Sequence, residues 1–277
     1  MVGIVILNYN NSSRTLECLE SLHAHCPGGN YKVCVVDNAS SAEEFGKLEE
    51  ACSEHIIRAD VNGGYARGNN IGCSYFDSDA EVDKILILND DTIFSEDIIS
   101  PLEEFLDSHD DCGVVFPLVC APDGSIDKAC LRQQKTLSDL ILQATSLGKL
   151  GIKRKEFLPT GLITGKDPVY TEVPPGSCMM FRKEAFRSIG WFDPNTFLYF
   201  EEHIISVKLK RKGLRCVLLP GVSITHIGAA TTGKQASKEI FRHWRHSYLY
   251  FIKEYTDTPA IIRHLLAIRT YIGSWSK

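Results

Sequence analysis

Residues Lys84 to Thr92 read KILILNDDT, and the fold turns on how this stretch is read. The apolar run Ile85 to Leu88 stops abruptly at Asn89-Asp90-Asp91-Thr92, so it reads as a buried parallel strand delivering two carboxylates at its C-terminal end. Open α/β sheets bind their ligands there. Adjacent carboxylates with no basic neighbour suit a hard divalent cation, which takes one or two protein carboxylates and fills its other positions with water and substrate phosphates. Asp and Asn also favour helix-capping turns, so the stretch alone leaves metal site and cap about equal.

Toward the N-terminus the same pattern recurs. Val2 to Leu7 is an apolar, β-branched run that stops at Asn8-Tyr9-Asn10-Asn11-Ser12, with Ser12 or Ser13 available to cap a helix running to about His25. Leu16, Leu19 and Leu22 give that helix an apolar face. Tyr31 to Val36 forms a second strand ending at Asp37-Asn38-Ala39-Ser40, and a short strand around Ile56 and Ile57 leads to Asn62-Gly63-Gly64-Tyr65-Ala66-Arg67-Gly68-Asn69-Asn70. Two glycines before a helix start place bare backbone N–H groups at a positive dipole end, which suits phosphate. Strands alternating with helices imply a doubly wound, mainly parallel α/β sheet with helices on both faces. A nucleotide binder is the leading inference. A dehydrogenase would place G-x-G-x-x-G where this chain has NYNNSS, and no G-x-x-x-x-G-K-[ST] loop occurs.

Composition sets the outer bounds. With 277 residues and 44% hydrophobic content the chain can bury a sizeable core as one large domain, or one domain with an extension. A formal charge of −5 does not suit a nucleic-acid binder. Thr232 to Lys277 carries eight Lys/Arg against three Asp/Glu, a net +5, which leaves −10 for the remainder. The ten cysteines are scattered without C-x-x-C spacing and read as reduced cytosolic thiols. MVGIVILNYN lacks a basic n-region and a cleavage site, so it reads as a first strand and not a signal peptide. No run of about 18 apolar residues offers a membrane span. The chain ends without a clear stop, which fits a piece of something longer.

ILNYN, VVDNASS, NGGYARGNNIG, LILNDDT, PPGSCMMFRKEAFRSIGWFDPNTFLYFEE and THIG occur in that order between Val2 and Gly228. Together they resemble the family-2 glycosyltransferases of GT-A fold, in the rhamnosyltransferase-like subset that builds bacterial surface polysaccharides. The resemblance implies a UDP- or dTDP-sugar donor and a divalent metal, Mn2+ or Mg2+. Asp37 would then read the pyrimidine base with Asn8 nearby, and the loop of Asn62, Gly63, Gly64, Arg67 and Asn70 would border ribose and diphosphate. Asn89 and Asp90 would belong to the acidic motif, with Asp91 the direct metal ligand. His226, in Thr225-His226-Ile227-Gly228, matches a family histidine that helps hold metal or diphosphate; a lone histidine also fits a structural role.

In the second half, Glu96 to His109 reads as a helix, Gly113 to Cys120 and Ser177 to Phe181 as strands, and Lys183 to Ile189 as a short helix. Arg132 to Pro174 holds a helical patch at Leu137 to Leu147 and the basic run Lys149 to Lys155; the resemblance places acceptor recognition there, and a surface excursion fits equally. The aromatic cluster Phe197 to Phe200 runs straight into Glu201-Glu202. A carboxylate beside aromatic walls is partly desolvated, which raises its proton affinity. By position Glu202 matches the family's catalytic base, usually Asp, with Glu201 the acid before it; an acid pair at a helix start also favours the dipole. Ile204 stands where the family usually has a further acid. Cys216 to Leu219, closed by Pro220, reads as the last strand.

From Lys238 the chain interleaves basic and aromatic residues, including Arg242, Trp244, Arg245, Tyr248 and Phe251. That suits an amphipathic helical pair on an anionic membrane surface, near a lipid-linked acceptor. Packing on the core or in a homodimer interface suits it as well. His243 and His246 have metal-like spacing but no evident third ligand. The expected organisation is a glycosyltransferase domain at 1–231, divided at about residue 120 into donor and acceptor halves, and a basic helical extension at 232–277. A saccharide or lipid-linked saccharide would be the acceptor. Two other classes remain: a donor-binding scaffold, favoured by Ile204, and a sugar nucleotidyltransferase, which would need a basic pyrophosphate segment where the first loop has only Arg14.

Overall fold

The computed structural model describes residues 1–144, 156–228 and 238–272. Strands β1 (Val2–Asn8), β2 (Tyr31–Asp37), β3 (His55–Arg58) and β4 (Lys84–Asn89) alternate with helices α1 (Ser12–His25), α2 (Ala42–Ala51) and α3 (Gly64–Asp77). The four strands lie in the order β3-β2-β1-β4 and all pair in parallel. Val2, Ile4 to Ile6 and Ile85 to Leu88 are buried, because helices cover both faces of these strands. Strand order reverses at β1, so a crevice opens beyond its carboxyl end and that of β4. Asn8 and Asn89 terminate those two strands.

The remaining elements are β5 (Thr92–Phe94), α4 (Ile99–Ser108), β6 (Cys112–Cys120), α5 (Leu137–Ala144), β7 (Val169–Thr171), β8 (Cys178–Arg182), α6 (Lys183–Ser188), α7 (Glu201–Arg211), β9 (Arg215–His226), α8 (Lys238–Glu254) and α9 (Ala260–Ile272). They extend the sheet as β4-β8-β6-β9-β5, with β7 also on β9. β8 runs antiparallel to β4 and β6, whereas β6 and β9 are parallel. The sheet is therefore parallel through its first half and mixed through its second.

Three local expectations change. Pro220 does not end the last strand: β9 continues to His226, and its pairing with β6 jumps from Pro117↔Leu219 to Leu118↔Ser223. Pro220 and Gly221 occupy that bulge, where a missing ladder donor is tolerated. β5, a three-residue strand with no legible pattern, pairs antiparallel with the far end of β9. Asn11, not Ser12 or Ser13, sits at the start of α1; its side chain makes no capping bond, and its amide nitrogen donates to Asp90 Oδ2 at 3.0 Å.

The helical patch at Leu137 is α5, and the basic run Lys149 to Lys155 lies outside the described residues. Leu140 of α5, Phe200 and Ile204 beside and on α7, Tyr248, Phe251 and Ile252 of α8 and Leu266 of α9 form a second apolar cluster apart from the main core. Ile204, in the acid's expected place, is thus fully buried under α8. The outer side of α9 leaves Ile261, Leu265 and Ile268 exposed. Among the described residues, no helix is long and apolar enough to cross a membrane.

Candidate active site

The expected donor side is a hydrogen-bonded cluster at the carboxyl ends of β1 and β2. Asn8 and Asp37 are fully buried and in register, and Asn8 Nδ2 donates to Asp37 Oδ1 at 2.8 Å. Thr15 Oγ1 donates to Asn8 Oδ1 at 3.1 Å, and the Ser40 N–H donates to Asp37 Oδ2 at 3.2 Å. Arg58 Nε lies 3.6 Å from the same Asp37 oxygen. A buried carboxylate needs this much support.

The glycine loop differs from its expected form. Gly63 N donates to Asn38 Oδ1 at 3.0 Å, Gly64 N to Asn62 Oδ1 at 2.9 Å, and Tyr65 N to Phe197 O at 2.8 Å. These N–H groups are engaged within the chain and are not bare. Gly64, at φ +76, meets a different need: a Cβ there would run into the Phe197 carbonyl. Asn70 clamps Phe192, donating to its carbonyl at 2.9 Å and accepting from its N–H at 3.1 Å. Arg67 Nε donates to Pro194 O at 2.9 Å, and its side chain is otherwise exposed. The loop therefore braces the 192–197 segment.

The acidic motif is under-satisfied. A turn after β4 brings the chain back as β5, and the pairing of Thr92 with His226 carries His226 to Asp91. His226 Nε2 lies 3.1 Å from the buried Asp91 Oδ1 and, among the described residues, is the one cationic group beside it. Burial, and then the charge of Asp91, pushes the Asp90 carboxyl up to about 7. Burial pulls the His226 imidazole down, but Asp91, Asp127 and Asp90 outweigh it and raise it overall. Crowded carboxylates with so little compensating positive charge fit a cation. Asp91 and His226 would hold it. Among the described residues no group of three or more His, Cys, Asp or Glu side chains has metal-site geometry. Two protein ligands leave positions for water and a substrate diphosphate, as such ions prefer.

Glu201 and Glu202 open α7. Before them Tyr199 and Phe200 take the left-handed region at φ 74 and 73, a strained conformation for bulky residues. The desolvated member is Glu201, 3% exposed, with Oε1 lacking any partner. Burial, then Glu202, raises it to about 8. Glu202 is only half-buried and lies against Gly176, where a Cβ would strike its Oε1. Tyr65 OH donates to Gly176 O at 2.6 Å, and Asn89 N donates to the next carbonyl, Ser177 O, at 2.9 Å.

Glycine loop, acidic motif and acid pair thus converge on Gly176-Ser177. Tyr65, Gly176, Asn11, Asn38 and Asp127 were not foreseen as site residues. Asn11, Asn38, Tyr65 and Gly176 sat inside motifs already singled out; Asp127 carried no signal, because only a tertiary contact gives it a role.

The family profile described as "Glycosyl transferase family 2" matches residues 3–190. The chain belongs to that family. Rhamnosyltransferase WbbL of Escherichia coli (strain K12) is 24% identical over 264 residues, 92% of this chain and 94% of the relative. The N-acetylglucosaminyl-diphospho-decaprenol L-rhamnosyltransferase of Mycobacterium tuberculosis (strain CDC 1551 / Oshkosh) is 24% identical over 207 residues, 69% of this chain and 63% of that one. Among solved structures, GalNAc-T7 with UDP, GalNAc and Mn2+ aligns with a TM-score of 0.63 at 16% identity, over 91% of this chain and 47% of that chain. This family-2 glycosyltransferase therefore has the GT-A fold, and it spans about half the length of that structural neighbour.

Proposed function

We propose that this glycosyltransferase moves a sugar, rhamnosyl or hexosyl, from a UDP- or dTDP-sugar to a saccharide or lipid-linked saccharide in bacterial surface-polysaccharide synthesis, with inversion. The observation that carries this reading is the convergence of the acidic motif and the acid pair on Gly176-Ser177. Asp37 and Asn8 line the base end of the donor, with Asn62, Gly63, Gly64 and Asn70 shaping its ribose and diphosphate border. Arg67, exposed and beside that border, offers spare guanidinium N–H groups to phosphate. Asn89 and Asp90 precede Asp91, which with His226 would hold Mn2+ or Mg2+. When bound, such an ion neutralises the departing diphosphate.

The chemistry is a single displacement. As the acceptor oxygen bonds to the anomeric carbon, the bond from that carbon to the diphosphate oxygen breaks, and the hydroxyl proton passes to Glu202. Glu201, raised to about 8, stays protonated at neutral pH and spares Glu202 a second negative neighbour. A thermal-shift panel of UDP-, dTDP- and GDP-sugars with and without Mn2+ or Mg2+ tests the donor site. A metal-dependent rise with one nucleotide, lost in Asp91→Ala, is expected. Binding without nucleoside diphosphate release would favour the donor-binding scaffold, and pyrophosphate release a nucleotidyltransferase.

The exposed stripe Ile261, Leu265 and Ile268 on α9, with Arg269 nearby in a basic tail, supports peripheral contact with an anionic membrane at the cytoplasmic face. Ten unpaired cysteines agree with a reducing compartment. Co-sedimentation with anionic vesicles checks the contact; self-association in its place would make the stripe a homodimer interface.

A further inference from the structure

The segment that aims Glu201 and Glu202 is gripped from two sides. On one side stands the glycine loop, through Tyr65, Arg67 and Asn70. On the other stands α8. Tyr250 OH donates to Asp193 Oδ2 at 2.8 Å, and Tyr255 OH donates to the same oxygen. Asn195 Nδ2 bonds Asp193 Oδ1 at 2.8 Å and reaches Tyr250 OH at 3.1 Å. Ser247 Oγ donates to Leu198 O at 2.9 Å, and His243 stacks on Phe197 at 4.2 Å. Phe200 packs among Trp244, Tyr248 and Phe251.

Two bulky residues in left-handed backbone are strained and persist only where their surroundings over-determine them. Here α8 and the residue just beyond it supply that constraint. Asp193 is 7% exposed. Burial raises its carboxyl, but the bonds from Tyr255, Asn195 and Tyr250 outweigh this and lower it overall, so it stays ionised. Burial, then the bond to Asp193, lifts the Tyr250 phenol to about 12, which keeps it a donor.

We propose that Tyr250 and Tyr255, latched onto Asp193, are positioning residues for transfer: through the strained Phe197–Phe200 turn, α8 sets the reach of Glu202 toward the acceptor hydroxyl. This rests on the glycosyltransferase reading above, and it makes the C-terminal helices part of the acceptor side of the site.

The test is the double variant Tyr250→Phe/Tyr255→Phe in the full chain, which removes two hydroxyls and keeps both rings. Expected is a fall in kcat of about tenfold to a hundredfold, the scale of a small misplacement of reacting groups, with donor KM and donor-induced thermal shift unchanged. Exposed Lys253→Ala on the same helix should match wild type. Hydrogen exchange at the Glu201 to Ile204 amides should quicken in the double variant while β1 and β4 stay protected. Unchanged exchange there, or kcat within twofold of wild type, would overturn the latch. Wild type that releases no nucleoside diphosphate would instead sink the glycosyltransferase reading, and the exchange measurement would still decide whether α8 holds the turn.

Discussion

The donor cluster and the acid cluster lie at neighbouring strand ends, yet they treat buried polar atoms in opposite ways. Around Asp37, both carboxylate oxygens have partners, and Asn8 is bonded through both its oxygen and its nitrogen. Glu201 has a buried oxygen without a donor, and the buried Asp91 Oδ1 has the His226 imidazole beside it but no well-formed hydrogen bond. A satisfied network rigidifies, whereas an unsatisfied buried carboxylate costs free energy unless a cation or a proton joins it. The first cluster is internally satisfied, and the second has room for a cation or a proton.

That contrast can be broken at several points. Glu202→Gln should lower turnover about a hundred- to ten-thousand-fold while sparing the donor-induced thermal shift; undiminished nucleoside diphosphate release would remove Glu202 from the base role. Asp91→Ala should cost about a hundred- to a thousand-fold in rate and abolish the metal dependence of donor binding, yet leave the metal-free melting point unchanged or higher, because Asp90 loses a like-charged neighbour.

Substitutions that affect packing should behave in the reverse sense. Ile204→Asp places a carboxylate at a fully buried position among Phe200, Tyr248 and Phe251. A loss of several kcal/mol, on the order of 3, is expected in urea unfolding. Asn8→Ala leaves the Thr15 hydroxyl and Asp37 Oδ1 short of a partner and should cost about 1–3 kcal/mol; a stability within error of wild type would mean the donor cluster is less rigid than its bonds imply.

The last effect is a pH dependence and concerns Glu201. Between the ordinary value of 4.5 and about 8, the folded protein holds a proton there that the unfolded chain has lost. Stability from this group is therefore full below 4.5 and falls as pH rises through about 8. Glu201→Gln should flatten that slope in melting curves taken from pH 5 to pH 8.5. A slope unchanged by the substitution would show that Glu201 ionises freely.

Much of the first half was legible because β1, β2 and β4 carry apolar runs buried on both faces, each stopping at a polar cluster. Ile85 to Leu88 followed by Asn-Asp-Asp is enough to mark a strand end at the sheet's switch point. β5 escaped notice because three residues hold no periodicity; only their pairing with β9 defines them. The glycine loop was located correctly, but its chemistry was not visible: the partners of Gly63, Gly64 and Tyr65 lie at Asn38, Asn62 and Phe197. Between Glu201 and Glu202, sequence cannot say which is desolvated. The answer depends on which way the first turn of α7 faces.

The sequence by itself determined the α/β alternation, the family and the order of the polar motifs, since these follow from local hydrophobic periodicity and from short ordered residue strings. Tertiary structure alone decided that His226 meets Asp91, that Ile204 is a packing residue and that α8 grips the turn before the acid pair. Each of those joins positions far apart in the chain, and no local pattern encodes a contact between two strand ends or between a helix and a distant strained turn.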